Sequence, residues 1–283
     1  MKLKKILTVI LVAIACYFPA GAVAQEYPET ELDWKLGSQA YTFNQFTFFE
    51  AVDKIKQANL KYVEAFPGQT IGGGIDGEMD FKMASEKRQK ILQKLKEKNV
   101  ELISFGVVGA NNEKDWELLF QFAKAMKLQN IVSEPKQEEL EMLSKLCDKY
   151  EINLAIHNHP DPSRYWNPDI LLKAIEGKSD KIGACADIGH WVRSGLDPLE
   201  SLKKLEGHVK EFHFKDLNEK SMGAHDVHWG QGVSKVDKIL VYLKKQGYEG
   251  PFFAEYEYNW DDNMGDVKES AAYFREQVKQ MIE

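Results

Sequence analysis

The chain has 283 residues, with 37 Lys and Arg against 44 Asp and Glu, and a formal net charge of −7 at pH 7. An acidic chain has no general attraction for a phosphate backbone, so the composition argues against a nucleic-acid partner. Three cysteines are too few for a disulfide-rich scaffold, and Cys147 and Cys185 fall in segments patterned like a core helix and a core strand.

Residues 1–24 have the layout of a secretory signal peptide. Three lysines among the first five residues precede the apolar run 6–18, and Ala22-Val23-Ala24 forms an A-x-A cleavage signal. The apolar run is too short for a comfortable membrane span. We expect cleavage after Ala24 and a periplasmic or secreted protein that begins at residue 25. Lipoprotein processing at Cys16 is the alternative, and it would tether the same domain to a membrane.

From residue 36 onward, short apolar segments alternate with segments of helical periodicity. The predicted strands are 36–43, 62–66, 101–108, 130–133, 152–156, 182–186, 209–214 and 252–256. The predicted helices are 46–60, 86–99, 115–128, 137–150, 167–177, 198–207, 233–247 and 267–282. Eight strand–helix pairs without a linker predict a single-domain (β/α)8 TIM barrel over residues 25–283.

Polar side chains collect at the carboxyl ends of six predicted strands, the edge at which a parallel barrel carries its site. A charged or imidazole group at the end of an apolar strand is costly unless water, a partner or a metal satisfies it. Six such ends on one face therefore predict a functional site. The residues, in chain order, are Glu64, Glu134, His157, His159, Asp187, His190, His213, Lys215, Glu255 and Glu257.

These side-chain types predict a divalent metal. Carboxylates and imidazoles together suit Mn, Zn, Co or Fe better than a purely oxygen-seeking ion such as calcium, and Mg also remains open. We expect Asp187, His213 and Glu255 as ligands, with Glu134 as the fourth. The alternative is a salt-bridge network without metal. Glu257 is expected at the solvated rim.

Aromatic and further histidine side chains also follow the strand ends. Aromatic walls around a few polar groups are typical of sugar sites, although each residue alone is compatible with core packing. His190 could instead contact a metal ligand and hold that side chain in its orientation, without binding the metal itself. The residues predicted to bind substrate are His190, His228, Trp191 and Trp229, and the other aromatic residues of this set are Tyr41, Phe43, Phe66 and Trp260.

Four segments in this order resemble the xylose-isomerase-like barrels, the superfamily of sugar phosphate isomerases/epimerases and endonuclease IV. They are A-D-I-G-H at 186–190, F-H-F-K-D at 212–216, W-G-Q-G at 229–232 and A-E-Y-E at 254–257. The resemblance extends over the chain after residue 24. It implies a metal held by Glu, Asp, His and Glu from strands five to eight, and Asp187, His213 and Glu255 match the last three.

The fifth strand departs from this pattern. It reads A-I-H-N-H at 155–159, and the nearest carboxylate is Glu134 on strand four. Epimerases of the family use the glutamates of strands five and eight as an acid/base pair. With histidines in that place, the chain resembles the inosose dehydratases and keto-glycoside-cleaving lyases of the superfamily.

The resemblance implies that the enzyme enolises a keto-sugar and then eliminates a β-substituent. Glu255 or Glu64 is expected as the base, and His157 or His159 as the acid. Lys215 is expected as an added electrophile or hydroxyl anchor. Export and the lack of a glycine-rich phosphate cradle favour an unphosphorylated keto-sugar or 3-keto-glycoside.

The sequence leaves two alternative functions open and argues against a third. A sugar isomerase or epimerase would share the enolisation step, and a non-catalytic sugar-binding barrel would need the aromatic walls without the converging ligands. An abasic-site endonuclease would need additional histidines on strands two and three, which the sequence lacks. The expected partner is therefore a small sugar or glycoside, and a homo-oligomer is compatible with the sequence.

Overall fold

The structure is a computed structural model that describes residues 27–283. The predicted signal segment, with its cleavage site after Ala24 and the alternative at Cys16, lies outside the described residues. Between residues 27 and 283, no helix has both the length and the apolar character needed to cross a bilayer.

Eight parallel strands close into one barrel in chain order, with the first strand paired to the second and to the last. The predicted single-domain (β/α)8 barrel is therefore confirmed. The strands are β1 (Trp34–Gln39), β2 (Tyr62–Ala65), β3 (Glu101–Phe105), β4 (Asn130–Ser133), β5 (Asn153–His157), β6 (Ile182–Asp187), β7 (Val209–Phe214) and β8 (Gly250–Ala254).

Helices surround the barrel and bury their apolar stripes against the outer faces of the strands. Two short hairpins, Thr70–Gly72 with Ile75–Glu78 and Asp216–Leu217 with Asp226–Val227, lie in loops beyond the carboxyl ends of strands. The described residues form α1 (Phe48–Gln57), α2 (Ser85–Lys98), α3 (Glu113–Met126), α4 (Leu140–Tyr150), α5 (Pro168–Ile175), α6 (Ile188–Arg193), α7 (Pro198–Lys204), α8 (Val236–Gln246) and α9 (Met264–Ile282).

Element boundaries differ from the prediction where a side chain caps the backbone. The first strand ends at Gln39 and not at residue 43. The side-chain amide oxygen of Gln39 accepts a hydrogen bond from the backbone N–H of Tyr41 (2.5 Å), and a 3₁₀ turn begins there. Helix α1 begins at Phe48, two residues later than expected, because Thr47 and Glu50 form a capping box before it.

Helix α6 is a single short helix that the periodicity did not predict. It begins directly after β6, where the Oδ1 atom of Asp187 accepts a hydrogen bond from the backbone N–H of His190 (2.7 Å). The carboxylate that ends the strand therefore also caps the helix. This turn places residues 188–193 at the edge of the barrel that carries the site.

The barrel interior holds a polar group below the strand ends. Glu211 on β7 is fully buried and accepts hydrogen bonds from Ser104 Oγ (3.1 Å) and Asn130 Nδ2 (2.6 Å). Asn130 in turn accepts from Asn153 (2.9 Å). Burial raises the pKa of Glu211 to about 8. A buried carboxyl group is tolerated here because these neighbours satisfy its oxygens.

A buried ion pair joins the beginning of the described chain to its last helix. Arg275 on α9 donates from Nη2 and Nε to both carboxylate oxygens of Glu29, at 2.8 to 3.1 Å, and from Nη2 to the carbonyl of Asn59 (2.8 Å). Both side chains are nearly excluded from solvent. The pair holds the 3₁₀ turn Pro28–Leu32 against α9.

We expect Arg275→Met to lower the free energy of unfolding by about 3–5 kcal/mol, because it leaves the carboxylate of Glu29 buried without a partner. Urea denaturation followed by circular dichroism measures the loss. The control is Lys203→Met, which breaks an exposed pair with Glu200 (2.7 Å) and should cost less than about 1 kcal/mol. Equal losses in the two variants would contradict the structural role of Arg275.

Candidate active site

A cavity of about 230 Å³ opens at the carboxyl ends of the strands. One wall is apolar and aromatic, and the other consists of imidazole and carboxylate groups. This is the edge at which the sequence predicted a site, and three of its predicted histidines lie in the wall. The lining residues are Gln39, Tyr41, Phe66, Pro67, Val107, His157, His159, His190, Glu255 and Glu257.

Strand alternation explains how β7 supplies the polar wall. Glu211, His213 and Lys215 are two residues apart and share the inward face, whereas Phe212 and Phe214 pack outside the barrel with other aromatic rings. His213 pairs in register with Asp187 on β6. The two side chains therefore project into the barrel at the same level.

Four buried side chains converge at the floor of the cavity. His157, Asp187, His213 and Glu255 each offer one ligand atom, and these atoms all lie within 4.8 Å of one another. A second group shares His157 and adds Glu134 and His159. Glu134 was predicted with Asp187, His213 and Glu255, but the structure places His157 in that compact group instead. Ser133 pairs in register with Ile156, so the next residues along the two strands, Glu134 and His157, lie at the same level. Glu134 therefore contacts His157 from the outer side.

The two imidazoles in the four-residue group each lie between two carboxylate groups. His213 Nε2 lies 2.9 Å from Glu64 Oε2, and its Nδ1 lies 2.9 Å from Glu255 Oε2 without hydrogen-bond geometry. His157 Nδ1 lies 3.3 Å from Glu134 Oε1, and its Nε2 lies 3.6 Å from Asp187 Oδ2, also without hydrogen-bond geometry. A neutral ring that carries its proton toward Glu64 or Glu134 directs its other lone pair at the remaining members of the group.

Lys215 compensates the negative charge of this group. Its buried ammonium donates to Asp187 Oδ2 (2.6 Å) and to Glu255, and lies 3.3 Å from Glu257 Oε2. Burial acts to lower the pKa of Lys215, but these carboxylates raise it well above its ordinary value. With Arg193, which lies 3.2 Å from Glu257 Oε2, two cationic side chains face three carboxylates, so negative charge remains in excess. A bound cation would reduce that excess.

The carboxylates of the group stay ionised. Burial acts to raise the pKa of Asp187, but electrostatic interactions with His190 and with the Lys215 ammonium hold it well below its ordinary range. Burial acts in the same way on Glu255, where the charges of His213 and Lys215 lower the pKa. Two anionic oxygens and two imidazole lone pairs thus form a donor set of the kind that binds transition metals.

Glu134 and His159 form a hydrogen-bonded pair at the side of the cavity. Glu134 Oε1 makes a short contact with His159 Nδ1 and accepts from the backbone N–H of His159 (3.2 Å). Burial acts to raise the pKa of Glu134, but hydrogen bonds from His157 and His159 hold it well below its ordinary value. His159 is half exposed and lines the cavity. A carboxylate that holds one nitrogen of an imidazole in this way is typical of a histidine that acts as a general acid/base.

Several predicted residues lie away from the cavity. Glu64 is buried behind His213 and is not in the cavity wall, which argues against its predicted role as a base. Lys215 is likewise absent from the wall and is occupied by the three carboxylates. Their positions assign them to holding the ligand residues in place.

Of the four residues predicted to bind substrate, one lines the cavity and three do not. His190 lines the cavity, whereas Trp191, Trp229 and His228 do not. Trp229 is in the core, where its Nε1 donates to the carbonyl of Phe214 (3.2 Å). Trp191 is buried, and His228 is half-buried beside Asp266 (3.8 Å). Trp191 lies within α6, whereas Trp229 packs against Phe274 and His228 lies beside Asp266, both residues of α9.

Two charged residues of the site were missed or misplaced by the sequence. Glu257 was expected at the solvated rim, but it lines the cavity and lies 3.2 Å from Arg193 Nη1 and 3.3 Å from Lys215 Nζ. Glu257 lies two residues after Glu255, and residues at this spacing on an extended segment point to the same face. That spacing could have placed Glu257 in the cavity. Arg193 was not predicted at all, although it lies one helical turn after His190.

Residues 52–277 match the sequence profile described as the xylose isomerase-like TIM barrel. The chain belongs to the xylose isomerase-like TIM barrel family. The resemblance inferred from its motifs is thereby confirmed.

Known proteins extend this comparison. An inosose dehydratase from Bacillus cereus is 29% identical over 134 residues, which are 42% of this chain and 45% of that protein. The chain thus matches less than half the length of this curated relative. An uncharacterized protein from Parabacteroides distasonis has a solved structure that is 31% identical, with a TM-score of 0.72 over 86% of this chain and 99% of that one.

A D-allulose 3-epimerase from Methylomonas sp., solved in complex with D-allulose, is 11% identical. Its TM-score is 0.65 over 86% of this chain and 97% of that one, which shows a common fold. The relatives whose activities are named are enzymes that act on small molecules.

Proposed function

We propose that the chain is an exported, divalent-metal-dependent enzyme that enolises an unphosphorylated keto-sugar or 3-keto-glycoside and then eliminates a β-substituent. One observation carries the proposal. Four ligand atoms converge within 4.8 Å at the floor of a cavity, two of them imidazole nitrogens that face carboxylate oxygens without hydrogen-bond geometry, and a carboxylate-oriented histidine lies beside them.

The residues fit a metal. His157 Nε2, Asp187, His213 Nδ1 and Glu255 would hold it, with His157 in the place that the sequence assigned to Glu134. Mn, Co, Zn and Mg all remain candidates, and two imidazole donors favour the transition metals. When bound, the ion would polarise a substrate carbonyl and stabilise negative charge that develops on its oxygen. Lys215 and Glu64 would keep the ligand side chains oriented.

His159 is the best placed residue to move the proton. It lines the cavity, and Glu134 holds its Nδ1, so that a neutral ring presents the Nε2 lone pair. We infer that His159 takes the proton from the carbon beside the carbonyl and that the resulting imidazolium, stabilised by Glu134, returns it to the departing oxygen. Glu255 also lines the cavity, but its lowered pKa makes it a weaker base than an imidazole.

The size and lining of the cavity support a sugar as the ligand. Its volume of about 230 Å³ lies below the ~300–1,000 Å³ typical of drug-sized ligands, and so suits a single sugar ring better than an extended chain. Tyr41 forms edge-to-face pairs with Phe66 (5.2 Å) and Trp260 (5.7 Å) on the apolar side. An apolar wall opposite polar groups matches the two faces of a sugar ring.

We expect the purified protein to bind about one divalent ion per chain and His213→Ala to lose it while keeping the helical circular dichroism spectrum, because one of four ligands is removed. Elemental analysis after dialysis measures the content. The control is His228→Ala, since His228 lies outside both the cavity and the four-residue group. Metal retained at full stoichiometry in His213→Ala would contradict the assignment.

Metal affinity should rise with pH. Burial acts to lower the pKa of His157 and His213, but the groups around each ring raise it. Protons therefore compete with a metal for these nitrogens even above the pH at which an ordinary histidine loses its proton. Raising the pH from about 6 to about 8 should tighten binding roughly tenfold or more. Calorimetry in two buffers of different ionisation enthalpy measures the protons released. A metal affinity that falls or stays constant over this pH range would contradict the competition between protons and metal.

The reaction can be followed in heavy water with a 3-keto-glycoside. Elimination should release the aglycone, and His159→Gln should lower kcat by about 10²–10⁴-fold because it removes the proton carrier. Chromatography measures release and mass spectrometry measures deuterium. Deuterium incorporation without release would replace elimination by isomerisation or epimerisation, and neither signal in a metal-loaded protein would favour a sugar-binding barrel.

A further inference from the structure

Arg193 at the end of α6 is held in one orientation by three acceptors outside its own helix. Its Nη2 donates to Asp226 Oδ2 (3.1 Å), its Nη1 to Glu257 Oε2 (3.2 Å) and its Nε to the carbonyl of Ala224 (3.3 Å). Two of these partners belong to the loop after β7, and the third follows β8. The planar guanidinium therefore cannot rotate without breaking several hydrogen bonds.

The same guanidinium faces one nitrogen of His190. Arg193 Nη1 lies 3.1 Å from His190 Nδ1. Arginine remains protonated in proteins and can only donate, so the contact requires a lone pair on His190 Nδ1. On the opposite side of the ring, His190 Nε2 lies 3.4 Å from Asp187 Oδ2, which already accepts a hydrogen bond from Lys215 (2.6 Å). The contact with Arg193 therefore decides which ring nitrogen carries the proton.

We infer that Arg193 is a positioning residue that fixes His190 as the neutral tautomer with its proton on Nε2. His190 is nearly buried and lines the cavity, so it then offers a fixed N–H donor to an oxygen of a bound ligand.

This assignment separates the three histidines of the cavity wall by their neighbours. His157 has a free Nε2 lone pair toward the metal ligands, and His159 has an Nδ1 held by Glu134. His190 has neither feature, because its Nδ1 lone pair is taken by Arg193. It can neither bind a metal nor accept a proton from substrate through Nε2. Under the proposed function, on which this last step rests, it donates a hydrogen bond to a sugar oxygen.

The tautomer can be measured without any substrate. In protein labelled with ¹⁵N-histidine, long-range proton–nitrogen correlation spectra distinguish protonated from unprotonated ring nitrogens, and a His190→Asn sample assigns the resonance. We expect a protonated Nε2 and an unprotonated Nδ1 in the wild-type protein. A proton on Nδ1, or on both nitrogens, would overturn the inference even if every Arg193 variant failed to fold.

Variants then test whether Arg193 is the cause. Arg193→Met should introduce the Nδ1-protonated form, whereas Arg193→Lys keeps a cationic donor and should preserve the wild-type pattern. The matched control is Asp226→Asn, which removes a charge from the other side of Arg193 but leaves its contact with His190. An unchanged tautomer in Arg193→Met, or an equal change in Asp226→Asn, would overturn the role of Arg193.

Kinetics with a methyl 3-keto-glucoside test the donor role. Arg193→Met should raise KM by about tenfold with a smaller change in kcat, because a hydrogen bond to the bound sugar is lost, and Arg193→Lys should restore KM. A changed tautomer with unchanged KM and kcat would overturn the donor role. If the wild-type protein turns over no keto-sugar, the proposed function fails while the spectra still decide the tautomer.

Discussion

The ammonium of Lys215 is buried at the carboxyl end of β7, and it donates to carboxylates from β6 and from the segment after β8. Neither Asp187 nor Glu255 could remain ionised at this depth without a counter-charge, since burial of an unpaired charge costs several kcal/mol. Lys215 thus allows three carboxylates to lie within one small volume. It does not neutralise all three, and this excess of negative charge underlies the metal hypothesis.

Around this centre, each imidazole has one nitrogen held by a fixed neighbour. Glu64 faces His213, Glu134 faces His157 and His159, and Arg193 faces His190. The identity of the neighbour decides the chemistry of the other nitrogen. A neutral ring whose proton lies toward a carboxylate keeps a lone pair on its other nitrogen for a metal or for substrate, whereas the guanidinium requires a lone pair and leaves a donor on the other nitrogen. Four similar rings can therefore perform different tasks at one strand edge.

The histidines of β5 distinguish this chain from the pattern of its family, in which a glutamate of that strand binds the metal. His157 replaces the glutamate in the group of possible ligands, and His159 brings an imidazole with a carboxylate partner to the cavity wall. An imidazole can both accept and return a proton near neutral pH, which suits the loss of an alkoxide. This exchange on a common scaffold is the basis of the proposed elimination, while the surrounding helices and the barrel remain the same.

The sequence alone determined the barrel, because the alternation of strand and helix periods and the polar residues at strand ends are local signals. Inward-facing residues of one strand, such as His213 and Lys215, were predictable for the same reason. The tertiary structure decided which of these groups meet. Placing His157 with Asp187 and Glu134 with His159 required the register between strands, and burying Trp191 and Trp229 required the path of the loops. Arg193 acquires its role only because a turn of α6 brings it against residues from two distant loops, and such contacts between distant segments are not encoded in any local pattern.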